Sequence, residues 1–345
     1  MSLETMDTLQ TFVSRLADHG EKTAVVAVHK SDIEAWSFAQ LVNAAQRLAA
    51  GLRKAGLPPG APVLLCAPNS PEWLVACFAL LAISAVPVVV DTQLSDEDLR
   101  HVLDDSEVRW ATTTLHLTRR LSQYRNSQHL TCILLDPEKD DRRSWRNYEV
   151  DPKDPFPLAN PADPAVLFYT SGTTGAPKGV PLTHRNLTAN LQAFLSLQLI
   201  KDTDRFLLPL PLHHVYPFTV GMLAPLAAGV TLVFPRSLTG PQIVRALQTA
   251  HVTVIIGVPR FYTALYAAIE ARVRQRGRLA TTFFQRALAC SIGLRRRFGL
   301  YVGKWLFASF HKQFAPHLRA VCSAGAAIEP DLAWKLEGLG WQTAG

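Results

Sequence analysis

The sequence predicts an α/β protein with a mostly parallel, layered sheet. Short apolar runs alternate along the chain with helical patterns about 10–15 residues long, which is typical of parallel strands joined by crossover helices. The chain has 345 residues, of which 48% are hydrophobic and 18% are charged. This length and composition suit a large buried core, and they favour two lobes over one minimal domain.

Strands and helices alternate clearly in the first part of the chain. Apolar runs predict strands at Thr23–Val28, Val63–Cys66, Val86–Val90, Arg109–Thr113 and Cys132–Leu135. Helices are predicted over Ser37–Leu52, over Pro71–Ile83, and from Ser95 to about Asp104. The first has apolar side chains at helical spacing, the second begins with proline, and the third begins with a capping box.

A proline-rich segment, residues 136–164, interrupts this alternation and is predicted to be a surface excursion that leads into a central strand at 165–169. Beyond the following loop, Val180–Leu182 is predicted to be extended and Thr183 to cap a helix over His184–Leu197. Further strands are predicted near 206–208, 230–234 and 252–256, with helices at about 239–250 and 259–275.

The run from Phe206 to Pro235 contains no Lys, Arg, Asp or Glu and could be mistaken for a membrane span. Four prolines and two histidines interrupt it, so a buried strand–turn–helix is the better interpretation. The N-terminus shows no secretory signal. The five cysteines are scattered without a C-x-x-C pair, which argues against a zinc site or a disulfide framework and indicates a reducing cytoplasm.

The net charge of +7 is concentrated in one window. From Arg272 to Ile328 there is no acidic residue, whereas eleven basic residues occur there. They are Arg272, Arg274, Arg276, Arg278, Arg286, Arg295, Arg296, Arg297, Lys304, Lys312 and Arg319. The rest of the chain is slightly acidic. The basic window therefore predicts that this part of the protein contacts an anionic surface or ligand.

The stretch 168–180, FYTSGTTGAPKGV, has the composition of an anion-binding loop. Backbone N–H groups in such a turn can converge on one spot and bind phosphate oxygens. Lys178 would add a positive charge. Further hydroxyl donors are Thr170, Ser171, Thr173 and Thr174.

This loop does not match the P-loop pattern G-x-x-x-x-G-K-[ST]. The fifth residue after Gly172 is Pro177, and Lys178 is followed by Gly179. Kinases and GTPases of the P-loop type are therefore disfavoured. The alternative to phosphate binding is a plain surface loop rich in glycine and threonine.

Tyr169–Gly179 resembles the signature loop of the adenylate-forming superfamily, which includes acyl- and aryl-CoA ligases, firefly luciferases and the adenylation domains of peptide synthetases. Other segments resemble motifs of the superfamily in the same order: LLAISAVPVVVD (80–91), LPLPLHHVYPFTVG (208–221), GVPRFYTALY (257–266) and VCSAGAAIEPDL (321–332). The resemblance covers nearly the whole chain, and it is closest to the long-chain fatty acyl-CoA ligases.

The resemblance implies the large N-terminal domain of these enzymes, a layered αβαβα fold with two packed mixed or parallel sheets. We expect two subdomains, one of residues 60–235 and one of residues 1–59 plus 236–345. The chain stops at GWQTAG, where relatives continue with an aromatic-G-x-T-E segment and later a small lid domain carrying a lysine needed for adenylation. We therefore expect a truncated domain without its C-terminal lid, inactive or nearly so by itself.

The resemblance also implies the site residues. The β- and γ-phosphates of ATP would be held by Thr170, Ser171, Gly172, Thr173, Thr174, Gly175 and Lys178. Thr170 would also contact Mg²⁺. His214 would lie beside the carboxylate substrate and the α-phosphate, and it is expected to be catalytic together with Lys178. A lone buried histidine is more often a core residue, which is the alternative for His214; His213 receives no role because relatives vary there.

Gly325 and Ala326 match the residues that lie against adenine in the family. The physical requirement there is the lack of a bulky side chain, because a flat base must approach the backbone closely. The implied cofactors are ATP and Mg²⁺, with coenzyme A as co-substrate.

The segment from Arg272 to Phe314 resembles the helical insertion of long-chain fatty acyl-CoA synthetases, which flanks their fatty-acid tunnel. Its aromatic residues interleave with arginines. Such helices can lie on anionic lipid, so peripheral contact with the inner face of a membrane is one interpretation for an otherwise cytoplasmic protein. A solvated helical face is the other, and no recognisable nucleic-acid-binding module accompanies the segment.

The predicted function is activation of a long-chain fatty acid to acyl-AMP and then to an acyl-CoA thioester. A fatty-acyl-AMP ligase or an acyl-carrier-protein synthetase would differ only in the acceptor. A non-catalytic ATP- or acyl-binding module is the alternative from another class.

Overall fold

The computed structural model describes residues 6–124, 130–136, 141–170 and 175–344. These residues form an α/β protein with two mixed sheets, as predicted. The strands are β1 Thr23–Val28, β2 Ile33–Ser37, β3 Pro62–Cys66, β4 Val86–Val89, β5 Trp110–Thr113, β6 Thr131–Leu134, β7 Pro164–Thr170, β8 Lys178–Thr183, β9 Arg205–Leu207, β10 Thr231–Phe234, β11 Val254–Gly257, β12 Ala320–Ser323 and β13 Gln342–Ala344.

The helices alternate with these strands. They are α1 Leu9–Arg15, α2 Phe38–Lys54, α3 Pro71–Ala82, α4 Asp96–Ser106, α5 Leu115–Leu121, α6 His184–Ser196, α7 Ala224–Ala227, α8 Gly240–Thr249, α9 Pro259–Gln275, α10 Arg278–Phe298, α11 Gly303–Leu306, α12 Ala308–Phe314 and α13 Pro330–Gly338. Short 3₁₀ turns occupy Leu16–His19 and Trp145–Tyr148, and a π-helix spans Pro217–Leu223.

The six-stranded sheet has the order β6-β5-β3-β4-β7-β8. Its first five strands are parallel, and β8 runs antiparallel to β7. Parallel strands need crossover connections, and β3–β5 are joined by α3 and α4 as the sequence predicts. The outermost strand, β8, contains Pro181, which lies opposite Leu167 of β7.

The seven-stranded sheet has the order β13-β12-β11-β9-β10-β1-β2. Strands β9 to β13 form parallel pairs along this order. The strands predicted near 206–208, 230–234 and 252–256 correspond to β9, β10 and β11. Strands β2 and β13 and helix α1 are short elements that the sequence reasoning did not identify.

The chain divides into two compact units. One consists of Met1–Val25, Ala35–Ile200 and Pro211–Gly229, and the other of Val26–Glu34, Lys201–Leu210 and Val230–Gly345. The subdomains expected from the sequence, residues 60–235 and residues 1–59 plus 236–345, stay a prediction. The compact units differ from them in two ways: residues 1–25 and 35–59 group with residues 60–200, and residues 201–210 and 230–235 belong to the second unit.

Helix starts in the first unit are capped by hydroxyl side chains, of which Ser95 and Thr183 were predicted and Ser37 was not. Ser37 caps α2 in a capping box with Gln40, and Ser95 caps α4 by accepting a hydrogen bond from the Asp98 N–H. Thr183 caps α6 in a capping box with Asn186. Helix α3 starts with a proline and is buried at every position except Glu72, which explains why its sequence is apolar on all sides.

A buried ion pair holds the strand starts of the second unit. The Asp204 carboxylate accepts hydrogen bonds from Arg319, from the Thr253 hydroxyl at 2.7 Å and from the Lys201 N–H at 2.8 Å. Burial alone would raise the pKa of Asp204, but these hydrogen bonds hold it below its usual range. The three partners come from the segments that begin β9, β11 and β12, so one carboxylate fixes all three strands.

The segment from Arg272 to Phe314 is helical, as the resemblance implies. It comprises the end of α9, then α10, α11 and α12. Apolar side chains from these helices pack with α8 and the sheet in one core cluster of the second unit, including Tyr262, Phe284 and Leu288.

The uncharged run Phe206–Pro235 folds as strand β9, a turn, the π-helix with α7, and strand β10. This agrees with a buried strand–turn–helix. Among the described residues, no helix combines the length and apolarity needed to cross a bilayer.

Candidate active site

The carboxyl ends of β3, β4 and β7 meet at one edge of the six-stranded sheet. In the β4–β7 pair, Val88 lies opposite Leu167 and Val89 opposite Phe168. Asp91 therefore leaves the sheet beside Thr170, while Asn69 follows β3, the other neighbour of β4. In open α/β sheets, ligands bind outside the carboxyl ends of the strands.

The predicted phosphate-binding loop leaves and re-enters the sheet at this edge. Thr170 ends β7 and pairs directly with Lys178, which begins β8. The Thr170 hydroxyl donates to the Lys178 carbonyl oxygen at 3.5 Å, and both residues are exposed. Gly175 has open space where a Cβ would be. Ser171, Gly172, Thr173 and Thr174 lie outside the described residues, so their predicted role stays a prediction.

Helix α4 supports both sides of the hairpin. The Tyr169 hydroxyl donates to Asp105 Oδ2 at 2.6 Å, and His101 Nε2 lies 2.9 Å from the Pro177 carbonyl oxygen. Burial, together with the Asp105 carboxylate, raises the pKa of Tyr169, so the phenol remains a donor. A Cβ on Gly179 would approach the Tyr169 ring to 3.2 Å, so a side chain there would press on this support.

The segment around His213 and His214 is fixed at the same edge. The Leu212 N–H donates to Asn69 Oδ1 at 3.1 Å, and His213 Nε2 lies 3.7 Å from Asp91 Oδ2. The ring centroids of the two histidines are 4.2 Å apart. The structure thus brings the histidine segment to the sheet edge from which the β7–β8 hairpin emerges.

Aromatic packing under this segment explains its position. Phe218, in the π-helix that follows the histidines, contacts Phe168 of β7 edge-to-face at a centroid distance of 5.4 Å. It also contacts Trp73 of α3 at 6.3 Å. All three rings are buried, so the strand that bears Thr170 and the helix that follows His214 share one apolar core.

The two histidines differ in environment. His214 is exposed, whereas the His213 side chain is only 14% exposed. Burial and the neighbouring His214 lower the pKa of His213 to about 4, against the opposing effect of Asp91. His213 is therefore neutral at physiological pH, and His214 is the histidine that can reach a ligand from solvent.

The sequence reasoning left out His213, Asp91 and Asn69, although they position the predicted catalytic segment. A usable signal was the pair of adjacent histidines in a run without charged residues. Asn69 and Asp91 each follow a predicted strand, and the carboxyl ends of neighbouring parallel strands meet at one edge.

Gly325 and Ala326 belong to the second unit, in the turn between β12 and α13. Gly325 has a φ of +85°, and a Cβ there would meet only Val258 Cγ1 at 3.8 Å. Glycine is therefore favoured at position 325 by its positive φ angle, because a Cβ would meet no steric clash there. Ala326 is exposed. The Tyr262 hydroxyl lies 2.9 Å from the Ile255 carbonyl oxygen and 2.7 Å from that of Cys322, which ties β11 to β12 near this turn.

Within the described ranges, no group of three or more His, Cys, Asp or Glu side chains could hold a metal ion. A magnesium ion bound with nucleotide typically keeps several waters and takes most of its other ligands from phosphates. The exposed Thr170 hydroxyl suits such a minor contribution. The Mg²⁺ contact of Thr170 stays a prediction.

The same architecture occurs in a solved structure. The inhibitor-bound N-terminal domain of FACL13 from Mycobacterium tuberculosis matches with a TM-score of 0.75 and 20% sequence identity, over 97% of this chain and 74% of that one. At this identity the likeness shows the fold. The chain belongs to the AMP-binding enzyme family, whose model matches residues 12–342.

Curated relatives of this chain include proteins named as ligases and synthases. Long-chain-fatty-acid–CoA ligase FadD15 of Mycobacterium tuberculosis is 29% identical over 324 residues, covering 88% of this chain and 53% of that protein. Feruloyl-CoA synthase of Amycolatopsis sp is 32% identical over 236 residues, covering 68% of this chain and 45% of that protein. Salicyl-AMP ligase / salicyl-S-ArCP synthetase of M. tuberculosis is 31% identical over 236 residues, covering 65% of this chain and 41% of that protein. The chain spans about half the length of these relatives.

Proposed function

We propose that this chain provides the ATP-phosphate and fatty-acid sites of an AMP-forming acid–thiol ligase. The enzyme converts a long-chain fatty acid to acyl-AMP and then to acyl-CoA. The observation that carries the proposal is the β7–β8 hairpin, which pairs Thr170 with Lys178 at the carboxyl edge of the six-stranded sheet. The family match over residues 12–342 supports it.

The chemistry follows from the poor leaving group of a carboxylate. Attack of a carboxylate oxygen on the α-phosphorus of ATP forms acyl-AMP and releases pyrophosphate. A thiol then attacks the acyl carbon, forms a thioester and releases AMP. Negative charge builds up at phosphate oxygens in the first step, so fixed donors and cations supply much of the catalysis.

Each site residue has a proposed role in these two reaction steps. The Lys178 ammonium and the backbone and hydroxyl groups of residues 170–175 would hold the β- and γ-phosphates, and Thr170 would contact Mg²⁺, which would offset the charge of the phosphates. His214 contacts the substrate carboxylate and the α-phosphate, because it is the exposed histidine of the pair. Gly325 and Ala326 leave the backbone accessible to adenine.

An apolar cavity in the second unit supports a fatty acid as the substrate. It has a volume of about 630 Å³ and lies among α8, α9 and α12, where Ile243, Phe261 and Phe314 contribute to its lining. Arg245 and Arg272 also line it. A largely apolar pocket with a few polar groups suits a lipid tail, and FadD15 acts on long-chain fatty acids by name.

The acceptor thiol belongs to coenzyme A or to a carrier protein. The proposal names coenzyme A because FadD15 and feruloyl-CoA synthase are CoA enzymes by name. The name of the salicyl-AMP ligase relative refers instead to a carrier protein, so an acyl-AMP ligase or acyl-carrier-protein synthetase is the second candidate. A non-catalytic ATP- or acyl-binding module is the third.

Fatty-acid-dependent exchange of labelled pyrophosphate into ATP tests the adenylation step. The assay uses a panel of fatty acids with the 345-residue chain and with the protein extended through its own reading frame beyond Gly345. We expect exchange with long-chain acids in the extended protein and little in the 345-residue chain. Absence of exchange with every carboxylate, while ATP still binds, would favour the binding module. Thioester formation with CoA or with a carrier protein then identifies the acceptor.

A further inference from the structure

Arg120, on α5, contacts the short linker that leads from β4 into α4, residues 91–96. Its Nε and Nη2 groups donate to Asp96 Oδ1 at 3.0 and 2.7 Å. Nη2 also donates to the Leu94 carbonyl oxygen at 2.6 Å, and Nη1 donates to the Thr92 carbonyl oxygen at 3.2 Å. Because a guanidinium presents its N–H groups in a rigid plane, this one side chain holds three positions of the linker in a fixed arrangement.

The first residue of the linker, Asp91, is oriented by the linker itself. Asp91 Oδ1 accepts a hydrogen bond from the Gln93 N–H at 2.9 Å, and the Asp91 carbonyl oxygen accepts one from the Leu94 N–H at 3.3 Å. The other carboxylate oxygen, Oδ2, is the one that lies 3.7 Å from His213 Nε2. The conformation of the linker therefore decides where the Asp91 carboxylate meets the histidine segment.

The last residue of the linker, Asp96, begins helix α4. That helix contacts the β7–β8 hairpin at two points, where Asp105 accepts from the Tyr169 hydroxyl and His101 lies against the Pro177 carbonyl oxygen. The two contact residues are one helical turn apart and share one face of α4. Since a helix is a rigid element, a shift at its start moves both contacts with the hairpin.

An arginine at the surface can also serve stability alone. The Asp96 side chain is 64% exposed, and an ion pair that is so exposed contributes little to folding. The hydrogen bonds from Arg120 to the two carbonyl oxygens do something else, because they fix the path of the backbone between Asp91 and α4. The geometry therefore favours a role in position over a role in stability.

We propose that Arg120 is a positioning residue for both halves of the candidate active site, the β7–β8 hairpin and the histidine segment. It acts through the two ends of the 91–96 linker and not by contact with a substrate. The inference rests on the proposed function, in which the hairpin binds ATP phosphates and His214 contacts the fatty-acid carboxylate.

Steady-state pyrophosphate exchange in the extended protein tests this role. Arg120→Ala should raise the KM for ATP and the KM for the fatty acid by about five- to tenfold each, because both binding groups lose their alignment. Loss of folded enzyme alone would lower the rate at saturation and leave both KM values unchanged. The matched control is Arg119→Ala, at the exposed neighbouring arginine of α5, and it should leave both KM values within about twofold.

Two further variants separate the two routes. Tyr169→Phe removes the hydroxyl that contacts α4, so it should raise the KM for ATP and leave the KM for the fatty acid within about twofold. Arg120→Lys retains the charge but not the planar set of donors, so its KM values should lie between those of the parent and Arg120→Ala. In the Tyr169→Phe background, Arg120→Ala should raise the KM for ATP less than it does in the parent. Full additivity of the two changes would contradict the route through α4.

Binding of MgATP to the 345-residue chain separates failure of this inference from failure of the ligase proposal. Titration calorimetry should show a Kd about five- to tenfold higher in Arg120→Ala than in the parent and in Arg119→Ala. Circular dichroism and thermal unfolding confirm that each variant is folded. Weaker MgATP binding in Arg120→Ala, with no exchange in the extended parent, would support the positioning role and overturn the ligase activity. Equal Kd values in the parent and Arg120→Ala would overturn the positioning role and leave the ligase proposal intact.

Discussion

The β7–β8 hairpin and helix α10 are both basic, but they are built differently. The hairpin carries one lysine, whose backbone is fixed by pairing with Thr170 and whose strand is supported by α4. Helix α10 carries several arginines with exposed apolar neighbours. A charge at a fixed position can discriminate one ligand geometry, whereas charges distributed along a helix do not define one. Loss of one side chain should therefore matter far more in the hairpin.

The largest expected effect is that of Lys178→Ala on adenylation. Loss of a fixed cation beside phosphate oxygens should reduce pyrophosphate exchange by about 10²–10³-fold, comparable with loss of other preorganised electrostatic groups. Lys153→Ala, at an exposed lysine of the same unit, is the control and should leave exchange within about twofold. The measurement is initial exchange rate in the extended protein. Equal rates in the parent and Lys178→Ala would remove the hairpin from the proposed mechanism.

The second prediction concerns the buried carboxylate of Asp204 and the free energy of unfolding. Asp204→Ala should lower the free energy of unfolding by about 3 kcal/mol, because it leaves Arg319 without its buried carboxylate partner. Asp202→Ala, two residues earlier and exposed, should change it by less than about 0.5 kcal/mol. Urea unfolding gives both values. A change of less than about 1 kcal/mol for Asp204→Ala would contradict a stabilising role of the Asp204–Arg319 ion pair.

The third prediction concerns the pH dependence of the histidine segment. The pKa of His213 is about 4 in the folded chain, below its ordinary value of 6.5. As pH falls from 6.5 toward 4, the unfolded chain takes up a proton that folded His213 does not accept. Folding stability should therefore decrease by about 2 kcal/mol across this window through this group.

His213→Gln should remove that part of the pH dependence. His116→Gln, at an exposed histidine on α5, should leave it in place. Urea unfolding at several pH values measures the slope for each variant. Equal slopes in the parent chain and in His213→Gln would contradict the environment described for His213.

The smallest expected effects separate backbone strain from side-chain chemistry. Gly325→Ala should destabilise the chain by about 1 kcal/mol, because alanine at a φ of +85° is strained. Gly293→Ala, in α10 with open space around it, should stabilise the chain by about 0.5–1 kcal/mol through helix propensity. Opposite shifts in the midpoint of thermal unfolding are expected. A stabilising Gly325→Ala would remove the conformational reason for that glycine.

Local patterns predicted much of the fold. The alternation of apolar runs and helical spacings located β3, β4, β7 and their helices because these elements bury side chains with a regular period. The caps Ser95 and Thr183 were visible because each satisfies N–H groups a few residues away. Short elements such as β2 were missed, since they bury few residues and show little periodicity.

The candidate site was only partly predictable. The hairpin motif pointed to Thr170 and Lys178 because hydroxyl and ammonium groups are the kinds of side chain that bind phosphate oxygens. The supporting contacts, Asp105 with Tyr169 and Asp91 with His213, join residues 64 and more positions apart. No local pattern encodes such pairs, because they arise from the strand order of the sheet.

Pro181 gives the hairpin a further property. It lies in β8, one of the two edge strands of the six-stranded sheet among the described residues, and it has no N–H to donate. Sheet margins with a complete row of N–H and C=O groups recruit strands from other chains, and proline interrupts that row. Pro181 therefore disfavours pairing of this sheet edge with another chain, and it would leave the hairpin accessible for the nucleotide role proposed for it.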